Sequence, residues 1–144
     1  MTYRRTQRGT LIPISCLAAA SFSIAMSWRS GHWPPALIMV AVMIVLATLF
    51  SSLTVEVTNN ELRWHFGPGL WTYRLPLDEI EDVAVVRNQW WNGWGIRIGA
   101  GFRLYNVSGL DAVELRLHSN GIRRIGTDDP QGLVKVLRAR RGLG

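Results

Sequence analysis

The stretch ALIMVAVMIVLATLFSSLTVEVTNNELRWHF, residues 36–66, changes its hydrophobic period part-way along, and that change decides the fold. From Ala36 to Phe50 it is almost wholly aliphatic and carries no Asp, Glu, Lys or Arg, the composition of a helix in hydrocarbon. From Leu53 the pattern alternates instead. Leu53, Val55 and Val57 fall on one side and Thr54, Glu56 and Thr58 on the other; after Asn59-Asn60, Leu62, Trp64 and Phe66 alternate with Glu61, Arg63 and His65. A two-residue turn at Asn59-Asn60 pairs Thr58 with Glu61, sets Glu56 opposite Arg63 and Val55 opposite Trp64, so the register matches charge with charge and apolar with apolar.

Working outward, the charge distribution divides the chain at the same place. Charged residues are 18% of the 144, against about 25% in ordinary soluble proteins. Every acidic residue lies after position 53, and the first 53 residues carry only Arg4, Arg5, Arg8 and Arg29. A second apolar run, GTLIPISCLAAASFSIAMSW, occupies residues 9–28. Two membrane helices at about 11–28 and 36–53 are therefore expected, after a cytoplasmic tail over 1–10, each core of roughly 18 residues reaching about 27 Å. The linker RSGHWPP, residues 29–35, returns the chain antiparallel, with Trp28 and Trp33 at its edges as interfacial anchors. Ser15, Ala19, Ser23 and Ser27 recur every fourth residue, a small-residue stripe for close packing on the second helix or on another copy. Three Arg precede the first segment and one lies in the loop, which orients both termini to the cytoplasm. The competing reading of the first segment is a secretory signal with Ala18, Ala19 and Ala20 near the cleavage site. A lipoprotein reading at Cys16 is weaker, because Pro13 stands where an aliphatic residue is wanted.

Residues 54–144 read as a separate, mostly β domain. Strands are expected at WTYRL, at PLDEIEDVAVV up to Arg87, at GIRIGAGFRLYNV, at AVELRLH and at GIRRIGT, which with the first hairpin makes about seven, all antiparallel. The last one needs a bulge near Arg123 and Arg124 if Ile122 and Ile125 are to share a face. A C-terminal helix follows, capped by Asp128 or Asp129, with Pro130 in its first turn, Leu133, Val134 and Leu137 as its apolar stripe and Gly142 past its end.

Trp94-Gly95-Ile96-Arg97, then Tyr105, then Ala112-Val113-Glu114-Leu115, then Ile125-Gly126-Thr127 before an acidic helix start with Pro130, form an ordered set. In it, residues 53–141 resemble bacterial pleckstrin-homology-like (PH-like) domains fused to a pair of membrane helices. The resemblance implies a bent antiparallel sheet closed by the helix, in a multi-pass protein of the bacterial plasma membrane. It implies a non-enzymatic recognition or scaffold module whose partner is membrane lipid, another protein or a second copy. Members that bind phosphoinositides place basic residues around their first turn; Asn59-Asn60 here argues against that route.

The densest unusual cluster is Trp90, Trp91 and Trp94 with Arg87, Arg97 and Arg103. One reading is an aromatic, cationic surface that meets the bilayer. The more economical reading puts one or two of the rings in the core and the rest over an open sheet edge, with the Arg simply solvated. Other constellations carry less. The run Gly93, Gly95, Gly99, Gly101 lacks the dinucleotide fingerprint because residue 98 is Ile, and no Gly-Lys-Ser/Thr makes it a phosphate loop. His32, His65 and His118 are scattered and Cys16 is at membrane depth, so no metal, cofactor or nucleophile constellation assembles. Glu79, Glu81 and Asp82 read as the polar side of a strand start, and Asn106-Val107-Ser108 fits a glycosylation acceptor. The net charge of +6 divides into +4 before residue 54 and +2 after it, too weak a field on the β domain for nucleic acid. A structural or accessory subunit of a membrane complex is the alternative function.

Overall fold

A computed structural model of the chain describes residues 2–99 and 101–142. It is an α+β molecule: a two-helix hairpin, two sheets of four and five strands, and a C-terminal helix. The first strand, β1 (Tyr3–Arg8), lies in the segment expected to be a tail. Helices α1 (Leu11–Ser30) and α2 (Pro34–Leu49) follow, then β2 (Ser52–Val57), β3 (Glu61–Phe66), β4 (Thr72–Pro76) and β5 (Ile80–Arg87). Strands β6 (Gly95–Ile98), β7 (Phe102–Asn106), β8 (Asp111–Leu117) and β9 (Ile122–Gly126) lead to α3 (Pro130–Arg141).

The expected count of seven strands becomes nine for two separate reasons. Tyr3–Arg8 pairs antiparallel with Ser52–Val57 because the helical hairpin brings the two ends of the membrane-type segment side by side, and β2 offers an open edge there. The stretch 95–107, expected as one strand, is split by a tight reversal in which Gly99 N–H donates to the Phe102 carbonyl at 2.9 Å and Gly101 takes φ +88°, a conformation glycine adopts without strain. The all-antiparallel expectation is also corrected. The five-stranded sheet runs β5-β8-β9-β7-β6, and β9 slots between β7 and β8, parallel to β7. No bulge forms near Arg123 and Arg124: Ile125 faces Val113 on the core side and Ile122 turns to the other face, while the irregularity sits in β5 between Ile80 and Asp82.

The first hairpin has its expected register, Val55 opposite Trp64 and Glu56 opposite Arg63, closed by Thr58 N–H donating to the Glu61 carbonyl at 2.9 Å. Arg63, however, ion-pairs with Glu61 of its own strand rather than with Glu56. The core lies between the sheets: Leu53, Val55, Val57, Leu62 and Trp64 from one, and Tyr105, Val113, Leu115 and Ile125 from the other. Leu133, Val134 and Leu137 of α3 close it along β5 and β8.

α3 begins at Asp129, whose Oδ1 accepts from Gly132 N–H at 3.1 Å, and ends with Gly142 in the left-handed region. The same Asp129 accepts from the Tyr3 hydroxyl at 3.1 Å, and Arg5 pairs with Asp128 at 3.0 Å, so β1 is tied to the start of α3. Burial, together with the hydrogen bond to Asp129 and its charge, raises the Tyr3 phenol above its ordinary range. A raised folded-state value means that this contribution is intact below pH ~10 and is lost as pH climbs past it. Tyr3→Phe is expected to cost about 1 kcal/mol and to flatten the alkaline fall in stability, read from melting curves against pH.

In the hairpin, α1 is the one described helix long and apolar enough to cross a membrane by length and composition; α2, with 16 residues, is a shorter apolar helix. It stops at Leu49 rather than near 53 because Gly9 N–H donates to the Ser51 carbonyl at 2.8 Å and the β1 ladder takes up Ser52 onward. The four-residue stripe is half right. Ser27 is buried and Ser23 half-buried, but Ser15 and Ala19 are exposed, and Cys16 and Ala20 take their place beside α2. A strict four-residue repeat drifts by about 40° per step, whereas the spacing 16, 20, 23, 27 follows one face of a straight helix.

Candidate functional site

The β domain is seated on the hairpin by backbone approaches that leave no room for side chains. Gly67, at φ +50°, lies under the carbonyls of Thr48 and Leu49, where a β-carbon would sit 2.5 Å and 2.8 Å from their oxygens. Gly9 is held between the Phe50 carbonyl and Val107. Phe50 meets Phe66 at 5.3 Å between ring centroids; Phe66 leads to Tyr105, and Tyr105 to Tyr73 and Trp64. An aromatic column thus runs from the hairpin base into the core.

Two loops surround that base. The β3–β4 loop carries Leu70 and Trp71, both about 70% exposed. With Leu49, Phe50, Phe66, Tyr73 and Ile96 they line an apolar cavity of about 130 Å³. The β5–β6 loop carries Trp90 and Trp91, 70% and 65% exposed, in edge-to-face contact at 5.8 Å. That loop returns to the hairpin at Gly95, which faces Phe50 and Ile12. Trp94 is partly covered, and its Nε1 donates to the Gly109 carbonyl at 3.2 Å. The core-filling reading of the Trp90 cluster is therefore corrected: the core tryptophan is Trp64, and Trp90 and Trp91, on the short helical turn Trp90–Asn92 between strands, are surface rings.

The arginines of the cluster do not stay together. Arg97 lies over Gly93, with its Nη2 3.1 Å from where a β-carbon there would be. Arg87 ends β5 opposite Asp111. Arg103 belongs elsewhere, beside Arg123 at the other end of β7. Leu70 and Trp71 are not among the expected site residues, because the alternation of WTYRL places Trp71 inside a strand that in fact starts at Thr72. Their signal is two large apolar residues directly after the Gly-Pro-Gly turn, with no alternation to bury them. Asn106 of the glycosylation pattern is fully buried, its amide donating to the Gly109 carbonyl at 2.9 Å, so it serves the fold.

No protein-family model and no curated protein matches the chain.

Proposed function

We propose that the chain is a membrane-anchored, non-enzymatic PH-like binding module, whose hairpin crosses the bacterial plasma membrane twice and whose β domain sits against the cytoplasmic headgroups. The observation that carries the reading is the set of exposed Leu70, Trp71, Trp90 and Trp91 on two loops that each touch the hairpin base, one at Leu49 and Phe50 and the other at Gly95. Tryptophan prefers the level of the headgroups, where its apolar body and N–H are both satisfied. Around the hairpin itself Ile14, Leu17, Phe22, Leu37, Ile38 and Ile44 face outward, far more contiguous apolar surface than a water-soluble monomer exposes. Three of its hydroxyls donate to carbonyls of their own helix, Ser15 to Leu11, Ser21 to Leu17 and Thr48 to Ile44, each at 2.8–2.9 Å, which suits them to hydrocarbon.

Pairing of β1 with β2 supports two crossings, since it requires both ends of the hairpin on one side of the bilayer. It also argues against a cleaved signal, because cleavage after Ala20 would remove a strand of the sheet. The cytoplasmic face, now left free on the side away from the hairpin, would receive a protein partner. An accessory-subunit role is favoured by one observation, the exposed half of the small-residue stripe, Ser15 and Ala19, which leaves a close-packing helix face without a neighbour.

Single-cysteine variants in a Cys16→Ser background test the reading by spin-label depth measurement. Labels at Trp71→Cys and Trp91→Cys are expected at headgroup depth, a label at Ser119→Cys in bulk water, and Ser30→Cys is expected to react with an impermeant reagent from outside intact cells. Trp71 and Trp91 labels as water-accessible as the Ser119 label would remove the seating surface, and reaction of Ser30→Cys only after permeabilisation would reverse the orientation.

A further inference from the structure

At the end of the five-stranded sheet farthest from Gly95, the core-facing side stops being apolar. Tyr105 and Ile125 are paired neighbours on β7 and β9 and are buried; two residues along on the same face the neighbours are Arg103 and Arg123. The row across the sheet reads Ile98, Arg103, Arg123, Leu115 and Val83 and contains no carboxylate. Glu114 faces the other side, where it holds Arg124 at 2.9 Å. Adjacent strands lie about 4.8 Å apart, and like charges directly beside each other destabilise a sheet. Among the described residues neither Arg103 nor Arg123 has an ion pair or a side-chain hydrogen bond, whereas Arg5, Arg63 and Arg124 hold carboxylates and Arg138 and Arg141 hold carbonyls.

Space is left for a ligand as well. Next to the two arginines the strand ends carry Gly101 and Gly121, and a β-carbon at Gly101 would meet nothing within 4 Å. The resulting open pocket of about 300 Å³ is lined by Arg103, Arg123, Ser119, Phe102, Leu117 and Ile122 among others. Two planar guanidinium forks and a hydroxyl above an apolar floor of Leu117 are the donor set that a tetrahedral oxyanion uses, and Arg recognises phosphate bidentately.

We propose that Arg103 and Arg123 form a binding pocket for a phosphate-bearing anion at the open end of the five-stranded sheet. The anion offsets the repulsion between the two side chains and gives the β domain a ligand site separate from the aromatic ring at the hairpin base. The proposal does not depend on the membrane seating of that ring.

The test titrates inorganic phosphate and pyrophosphate into the full chain in phosphatidylcholine nanodiscs, at constant ionic strength, by calorimetry. Saturable binding is expected, weakened about tenfold or more by Arg103→Gln or Arg123→Gln, and unchanged by Arg74→Gln on the exposed side of β4. Without phosphate the two pocket variants are expected to melt no lower than the parent, because each relieves a like-charge contact. Arg123→Lys keeps the charge and loses the fork, so intermediate affinity is expected and covers the case of a Gln variant that fails to fold. Repeating the titration with phosphatidic acid in the nanodisc separates the sources: competition assigns the pocket to a lipid headgroup, and its absence to a soluble phosphate. Absence of saturable binding by either anion, or equal weakening by Arg74→Gln, overturns the pocket.

Discussion

A chain lacking residues 2–9 is expected to lose its folded β domain rather than a dispensable tail. β1 contributes six register pairs with β2, and its removal exposes the edge of the strand that carries Leu53, Val55 and Val57, all buried. It also removes the Tyr3–Asp129 bond, the Arg5–Asp128 pair and Gln7, whose amide donates to the Ser108 carbonyl at 2.9 Å. Taking net hydrogen bonds at about 1 kcal/mol each, the loss is on the order of 5 kcal/mol or more, comparable with the whole stability of a small domain. Near-ultraviolet circular dichroism of the purified chain in detergent should lose its aromatic signal, or the melting midpoint should fall by about 15 °C or more. A truncated chain that melts within a few degrees of the parent would show that β1 is an ornament on the sheet. For the same reason a fragment beginning near residue 53 lacks the strand that covers the β2 edge and is expected to fold poorly.

Trp64→Ala is expected to be the most damaging point substitution, by about 3–5 kcal/mol. The ring is 2% exposed, stacked on Tyr73 at 5.6 Å and edge-on to Tyr105 at 5.2 Å, so its loss opens a cavity under the aromatic column that joins hairpin to core. Trp64→Phe should behave very differently. The Trp64 indole N–H is buried with no partner among the described residues, so the smaller ring loses volume but also removes an unsatisfied donor, and a cost below about 1.5 kcal/mol is expected. Equilibrium unfolding of both variants checks the pair. Equal destabilisation by Ala and Phe would mean that the ring's position in the column is wrong.

Much of the architecture was readable from local pattern. The hairpin of β2 and β3, its register and its Asn59-Asn60 turn follow from a period of two, which leaves one side apolar and therefore specifies pairing to the residue. Helix α3 was readable for a similar reason: Asp129, Pro130 and Gly142 are terminal signals whose action is confined to one turn. Of the candidate site, Trp90 and Trp91 were found by composition, but whether they were core or surface was not, since a tryptophan fits either environment. Trp71 and Leu70 were hidden because a strand expected from Trp71, one residue before the observed start at Thr72, takes in the ring and leaves Leu70 in the preceding turn.

What a residue and its near neighbours dictate was present in the string: the apolar segments, the alternation, the caps, and the absence of acidic residues before residue 54. What depended on distant partners was not. β1 is six residues with a weak alternation, and it becomes a strand only because the hairpin returns β2 beside it. The insertion of β9 between β7 and β8, and with it the contact of Arg103 with Arg123, depends on parallel pairing across a crossover that no local pattern announces. Local periodicity constrains which face of a strand is buried, but the identity of the neighbouring strand is chosen by the whole core, and both the aromatic ring at the hairpin base and the arginine pocket are consequences of that choice.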